Sequence, residues 1–204
     1  MIILRDIIQG SDEWFACRCG VPSASNFDKI ITTKGEPSKQ AEKYLYQLAG
    51  ERIIGRKEDG YTNAAMQRGV ELEAEARELY ELITDCEVEQ AGLCYQDERR
   101  LFSCSPDGLM LARRKGLEIK CPTLAVHVGY LLGKKLPTDY FQQVHGSLFI
   151  CRDEIDAWDF MSYYPGMPPL IVTVYPDVKW QEQFAAEIKG FCARLDEVVA
   201  SLQN

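Results

Sequence analysis

No apolar run in this chain approaches the ~18 residues that a membrane-spanning helix needs, so a membrane role is not expected. Histidine is nearly absent: His127 and His145 stand alone, both in one stretch. A histidine-rich zinc site or a histidine-based nucleophile triad would have to be assembled from very little. The eight cysteines are scattered and form no paired C-x-x-C units. Only Cys17 and Cys19 are close in sequence, which gives little support for zinc or an iron–sulfur cluster. The N-terminal MIILRDIIQG has an acidic residue inside its short apolar stretch and no basic segment ahead of it. No export signal is visible there, and the thiols are expected to be free in a reducing compartment. Positive charge is also scarce, with 23 Lys and Arg against 31 Asp and Glu and a net charge of −8. That balance excludes a protein that coats nucleic acid over its whole surface, because phosphate neutralisation dominates such binding. Carboxylate chemistry is what remains.

What is present is ordinary globular material: 46% hydrophobic, 10% aromatic and 26% charged residues over 204 positions. A chain of this length buries roughly two-thirds of its unfolded surface in one core, so residues 1–204 are expected to form one domain. Basic residues cluster at Arg99-Arg100, Arg113-Arg114-Lys115 and Lys134-Lys135. Each is either a local DNA contact or a set of exposed turn residues. Residues 32–39 and 55–62 have loop composition. Helical periodicity appears near residues 12–17, 25–31, 38–54 and 64–83. Short strand-like segments follow at 92–96, 100–105, 108–111 and 117–121, with Arg113-Arg114-Lys115-Gly116 as a hairpin turn. A helix over 138–151 is opened by Pro137 and a Thr138 cap with Asp139 in its first turn. Strands near 157–163 and 170–175 then lead into a C-terminal amphipathic helix. The pattern predicts an α/β (α+β) fold, a mixed sheet flanked by helices.

The most informative stretch is Ser105-Pro106-Asp107-Gly108, followed across the hairpin by Glu118-Ile119-Lys120. Side chains alternate along a strand, so Leu117 and Ile119 should enter the core while Glu118 and Lys120 share the other face. Asp107, at the bend of the preceding strand, brings a second carboxylate to Glu118. Such hard oxygen ligands suit Mg²⁺ or Mn²⁺, which polarise a phosphoryl oxygen and activate water. Lys120 would orient the attacking water and stabilise developing charge. A third carboxylate is suggested by Arg68-Gly69-Val70-Glu71-Leu72-Glu73. At helical spacing Gly69, Glu73, Ala76 and Tyr80 form one stripe beside the apolar positions Leu72, Ala76, Leu79 and Ile83, whereas Glu71, Glu75 and Glu78 fall on the far side. An inward glutamate costs several kcal/mol unless paired or metal-bound. Alone, E-x-K is usually a surface ion pair and S-P-D-G a turn. Together they have the spacing of the PD-(D/E)XK nuclease signature.

With those residues assembled, the chain resembles the lambda exonuclease family, the YqaJ-type viral recombinases of the PD-(D/E)XK superfamily. The resemblance runs through residues 14–25 (WFACRCGVPSAS), the Arg68-Gly69-x-x-x-Glu73 helix, Cys104-Ser105-Pro106-Asp107-Gly108-Leu109, Gly116-Leu117-Glu118-Ile119-Lys120-Cys121-Pro122, and Tyr140-x-x-Gln143-Val144. It implies a restriction-endonuclease-like core. It implies Mg²⁺ held by Asp107 and Glu118 with help from the Ile119 carbonyl and Glu73, Mn²⁺ as a substitute, a catalytic role for Lys120, and Gln143 near the same site. It also implies a 5′-phosphate held by Arg18, Ser25 and Ser105, which fits a guanidinium fork and a helix N-terminus. The activity implied is 5′-to-3′ digestion of one strand at double-stranded DNA ends. The protein would work as a ring-shaped homotrimer beside a single-strand annealing protein, in a phage or prophage setting in the host cytoplasm. The rival readings are a PD-(D/E)XK endonuclease, a non-catalytic DNA-end-binding protein, and an iron–sulfur nuclease for which no cysteine set can be assembled from the sequence.

Overall fold

The computed structural model describes residues 1–57 and 64–203. The expected loop at 55–62 therefore lies largely outside the described residues. The strands are β1 (Ile2–Leu4), β2 (Leu93–Tyr95), β3 (Ser103–Cys104), β4 (Gly108–Met110), β5 (Lys115–Lys120), β6 (Ala157–Ser162) and β7 (Leu170–Val174). The helices are α1 (Asp12–Arg18), α2 (Ala41–Ile54), α3 (Ala64–Thr84), α4 (Leu124–Gly133), α5 (Phe141–Cys151) and α6 (Val178–Gln203). Among the described residues no helix is long and apolar enough to cross a membrane.

The expected mixed sheet is divided in two. One sheet is antiparallel in the order β1-β2-β3, and the other has the order β4-β5-β6-β7, with β5 and β6 parallel and the outer pairs antiparallel. The parallel step needs a long crossover, which α4 and α5 supply. Two apolar clusters follow from this arrangement. The larger joins α2, α5 and α6 to the first sheet and to Trp158 and Phe160 of β6. The smaller lies between α3 and the other face of the second sheet, with Ala76, Tyr80, Leu117, Ile119 and Met161. Alternation along β5 and β6 thus feeds two different cores. On α6, Trp180, Phe184, Ile188, Phe191, Cys192 and Leu195 form one buried face, and Asp177 caps the helix by accepting from the Trp180 N–H at 3.0 Å.

Several local expectations need correction. The hairpin turn is the 3₁₀ segment Leu111–Arg113 with Arg114 in the left-handed region at φ 54. Lys115 and Gly116 instead begin β5. Glycine at 116 serves close approach rather than turning, since a Cβ there would lie 2.4 Å from the ring of buried Trp158. Residues 100–105 contribute only the short β3. The helix expected from Thr138 begins as a 3₁₀ turn, Thr138–Tyr140, without a Thr138 side-chain cap, and becomes α-helical at Phe141. Of the helix expected over 25–31, residues 25–29 lie in a 3₁₀ segment, Ala24–Lys29, and residues 30 and 31 lie beyond it. Ile83, placed on the apolar stripe of α3, is exposed because the helix end overhangs its core. Both β1 and α4 are additions to the expected elements.

Because Trp158 is fully buried, its ring has nowhere to retreat. Gly116→Ala is expected to cost about 1–3 kcal/mol by overpacking, read as a lower midpoint in denaturant. An unchanged midpoint would contradict this packing.

Candidate active site

Asp107 sits immediately ahead of β4 and is tied to β5 at both ends. Its backbone N–H donates to the Leu117 carbonyl at 3.0 Å, and its Oδ2 accepts from the Ile119 N–H at 2.6 Å. The second bond is made where the β4–β5 ladder, paired at Gly108 and Leu117, runs out. Glu118 lies in the middle of β5 and is only 2% exposed. Its Oε1 accepts from the Lys120 ammonium on the same face and from Gln143 Nε2 of α5 at 2.5 Å. The Lys120 ammonium also stands 5.3 Å over the Tyr140 ring. The structure therefore brings Asp107, Glu118, Lys120 and Gln143 together around β5, with Ile119 as the backbone anchor.

Glu73 joins them from α3, where it is partly buried while Glu71, Glu75 and Glu78 are exposed. It pairs with Arg77 one turn on, and Arg77 Nε donates to the Asp107 carbonyl at 3.1 Å. Arg77 links the third acid to the hairpin, a role sequence reasoning missed; its i,i+4 spacing from Glu73 was the available signal. The Gly69 end of the same helix face lies outside the described side chains.

Electrostatics in this cluster favour protons in the absence of another cation. Burial, and then the neighbouring Lys120 and Asp107 acting in opposite senses, leave Glu118 raised to about 7. Burial and the Asp107 charge raise Glu73 to about 7 despite Arg77, and burial raises Asp107. Burial alone would discharge Lys120, but the pull of Glu118 and Asp107 outweighs it and its pKa rises. Lys120 is thus held as an ammonium, suited to stabilising negative charge rather than to acting as a base. If ionised, the three carboxylates exceed the two cations Arg77 and Lys120 by one charge in a largely dehydrated place. This all-oxygen, charge-deficient donor set fits a hard divalent cation. Among the described residues these three acids do not bring one oxygen each within 4.8 Å of one another, so shared ligation would require side-chain movement.

A second feature adjoins the first. Arg18 is 7% exposed and its Nη1 donates to Ser105 Oγ at 3.0 Å. Its Nη2 donates to Ser23 and Ser25, each at 3.1 Å, and the guanidinium lies 4.1 Å from the Trp14 ring centre. Its Nε has no hydrogen-bond partner. Among the described ion pairs Arg18 has none, so it is not a surface salt-bridge residue. Ser25 lies on the short 3₁₀ segment rather than at an α-helix start, which removes the helix-dipole argument for it. Arg18, Ser23 and Asn26 line a cavity of about 540 Å³ that also meets Arg56 and Lys57. Ser23 and Trp14 are additions to the expected set.

Much of the basic sequence is already engaged. Arg99 pairs with Asp97, Arg114 with Asp156 and Lys115 with Asp159, while Arg113 donates to the carbonyls of Thr84 and Asp85. Most of the expected DNA-contact clusters thus stabilise the fold, leaving Lys134-Lys135 and Arg100 as the more available charges. The cysteines are free. Their scatter in sequence conceals a meeting in space, because Cys94, Cys104 and Cys151 converge in the core.

An acid–acid–lysine cluster on the β4–β5 hairpin, between α3 and α5, makes this a PD-(D/E)XK nuclease fold. The chain belongs to the YqaJ-like viral recombinase family, whose domain model matches residues 13–153. Two crystal structures of an alkaline exonuclease from Laribacter hongkongensis, one of them in complex with dAMP, superpose with a TM-score of 0.84 at 29% identity, covering 95% of this chain and 96% of theirs. A phage-related exonuclease from Haemophilus somnus 129PT shares the fold, with a TM-score of 0.68 at 14% identity over 89% of this chain and 96% of that one. No curated protein sequence matches the chain.

The raised carboxylates have a measurable consequence. Glu73 and Glu118 ordinarily titrate near 4.5 and do so near 7 in the fold, so in this window the folded chain holds more protons than the unfolded one. Metal-free stability should therefore decline as pH rises from about 4.5 through about 7. Divalent cations must displace those protons and should stabilise the chain at pH 8 far more than at pH 5. At a hundredfold excess over Kd the gain is ~2.7 kcal/mol, a rise in melting temperature of roughly 5–10 °C for a chain of this size. Thermal scans with Mg²⁺ or EDTA at the two pH values check this. Equal metal stabilisation at both would contradict it.

Proposed function

We propose that this chain is a divalent-metal-dependent exodeoxyribonuclease, acting as one nuclease domain, that digests the 5′-ended strand of linear duplex DNA in the 5′-to-3′ direction. The observation that carries this reading is the segment Ser105-Pro106-Asp107. Its first residue touches a buried, ion-unpaired arginine and its third belongs to the carboxylate–lysine cluster. Two residue steps span at most ~7 Å, so an anion cradle lies about one nucleotide step from a hydrolytic site. A terminal 5′-phosphate held by Arg18, Ser23, Ser25 and Ser105 would place the next phosphodiester at Asp107 and Glu118.

Mg²⁺, with Mn²⁺ as a substitute, would be held by Asp107, Glu118, Glu73 and the Ile119 carbonyl, and the chemistry it would supply when bound is Lewis acidity. The chain's own residues do the positioning. Gln143 and Lys120 fix the Glu118 oxygen, and the Tyr140 ring shields one side of the ammonium. Lys120, kept charged, stabilises negative charge developing on the phosphoryl oxygens. Arg77 holds Glu73 against the hairpin. The Arg18 fork supplies anion selectivity at the neighbouring position.

The likeness to an exonuclease crystallised with dAMP supports a deoxynucleotide substrate. Family membership supports a ring-shaped homotrimer around duplex DNA, a single-strand annealing protein as partner, and a phage or prophage origin with action in the host cytoplasm. A ring that turns Lys134-Lys135 and the cavity cations inward would reconcile a net charge of −8 with DNA binding.

Digestion of end-labelled linear duplex should require Mg²⁺ or Mn²⁺, stop with EDTA, favour 5′-phosphate over 5′-hydroxyl ends and spare closed circular DNA. Lys120→Ala should lower turnover by about 10²–10³-fold while DNA binding persists. Arg18→Lys keeps the charge but loses the fork and should cut the phosphate preference by about tenfold or more. Metal-independent digestion, cleavage of closed circles, or end binding without any product would each overturn the reading.

A further inference from the structure

Cys94 on β2, Cys104 on β3 and Cys151 at the end of α5 lie far apart in sequence and meet at one point in the larger core. Cys94 and Cys104 are direct partners across the antiparallel β2–β3 pair, so their side chains rise side by side from one face of the sheet. Cys151 descends onto them from the helix that packs there. The three sulfurs all lie within 4.8 Å of one another, with Cys104 and Cys151 3.6 Å apart. Each residue is at most 1% exposed. Ser147, one turn earlier on α5, is also buried beside this cluster and acts to lower the Cys104 pKa, against the larger effect of burial that raises it.

A single buried thiol behaves as a small hydrophobe. Three converging from separate elements form a donor set. Thiolates bind zinc-class ions at about 2.3 Å, so three sulfurs around one ion stand roughly 3.8–4.0 Å apart, close to the 3.6 Å between Cys104 and Cys151 and inside the 4.8 Å that bounds all three. We propose that Cys94, Cys104 and Cys151 form a second, structural metal site that takes one thiophilic cation of the Zn²⁺ class. Soft sulfur ligands select against Mg²⁺ and Mn²⁺, so the site is chemically separate from the carboxylate cluster and does not depend on the nuclease reading. Its closure to solvent marks it as structural rather than catalytic and implies loading as the chain folds. The ion would tie the first sheet to the C-terminal end of α5, the helix whose first turn carries Gln143.

The test uses the full chain expressed with supplementary Zn²⁺ and washed with EDTA. Elemental analysis should find about one zinc per chain, retained in the Asp107→Asn, Glu118→Gln double variant. X-ray absorption should show a shell of three sulfurs near 2.3 Å. Cys151→Ala should lose the zinc and Cys86→Ser should keep it. If Cys151→Ala does not fold, as judged by circular dichroism, the absorption spectrum of the unaltered chain decides. Zinc-free protein after the wash, zinc bound only by oxygen and nitrogen, or zinc that disappears with the carboxylate substitutions would each overturn the proposal.

Discussion

The bond from the Ile119 N–H to the Asp107 carboxylate is the constraint on which the candidate site depends. It occurs where the β4–β5 ladder ends, so a side-chain oxygen takes over from the backbone and fixes an acid at the strand terminus. Everything else is placed relative to that point. Glu118 and Lys120 flank Ile119 on the opposite face of β5, Gln143 reaches Glu118 from α5, and Arg77 carries Glu73 to the Asp107 carbonyl. Glu73 and Glu118 stand on regular elements and Asp107 on the bend that enters β4, where its backbone and side chain both bond β5.

This assembly concentrates negative charge where water is scarce. Burial and mutual repulsion drive Glu73 and Glu118 toward neutral titration, and the two nearby cations leave the cluster short of positive charge. Two residues before Asp107, Ser105 meets the converse problem at Arg18, a buried guanidinium with serine hydroxyls around it and no carboxylate partner among the described residues. One place lacks a cation and the next lacks an anion. On the proposed function a metal ion and a terminal phosphate would answer both deficits, with Ser105-Pro106-Asp107 setting their separation.

Much of this was legible in the sequence because it depends on local periodicity. Two-residue alternation in Leu117-Glu118-Ile119-Lys120 separates core from site side chains, and helical spacing in α3 singles out Glu73 from its acidic neighbours. What was not legible depends on long-range pairing. The division into two sheets is set by which strands hydrogen-bond, and strand-forming composition does not encode that. Gly116 reads as a turn residue until the Trp158 ring lies against it. The run Arg113-Arg114-Lys115 reads as a DNA contact until Asp156 and Asp159, distant in sequence, arrive to pair with it. α4 was missed because its sequence, LAVHVGYLLG, is apolar all round and has no helical stripe. Its Leu124, Val126, Val128 and Leu132 are exposed, while His127 is buried and bonds Ser162 and the Pro168 carbonyl.

The most direct test of the central claim is calorimetric titration of Mn²⁺ at pH 8 into the unaltered chain and into Asp107→Asn and Glu118→Gln. Each substitution should weaken binding by about 10- to 100-fold or more, because each replaces a charged carboxylate on the hairpin by a neutral amide that offers one oxygen. Binding of Mn²⁺ to either variant as tightly as to the unaltered chain would contradict the account.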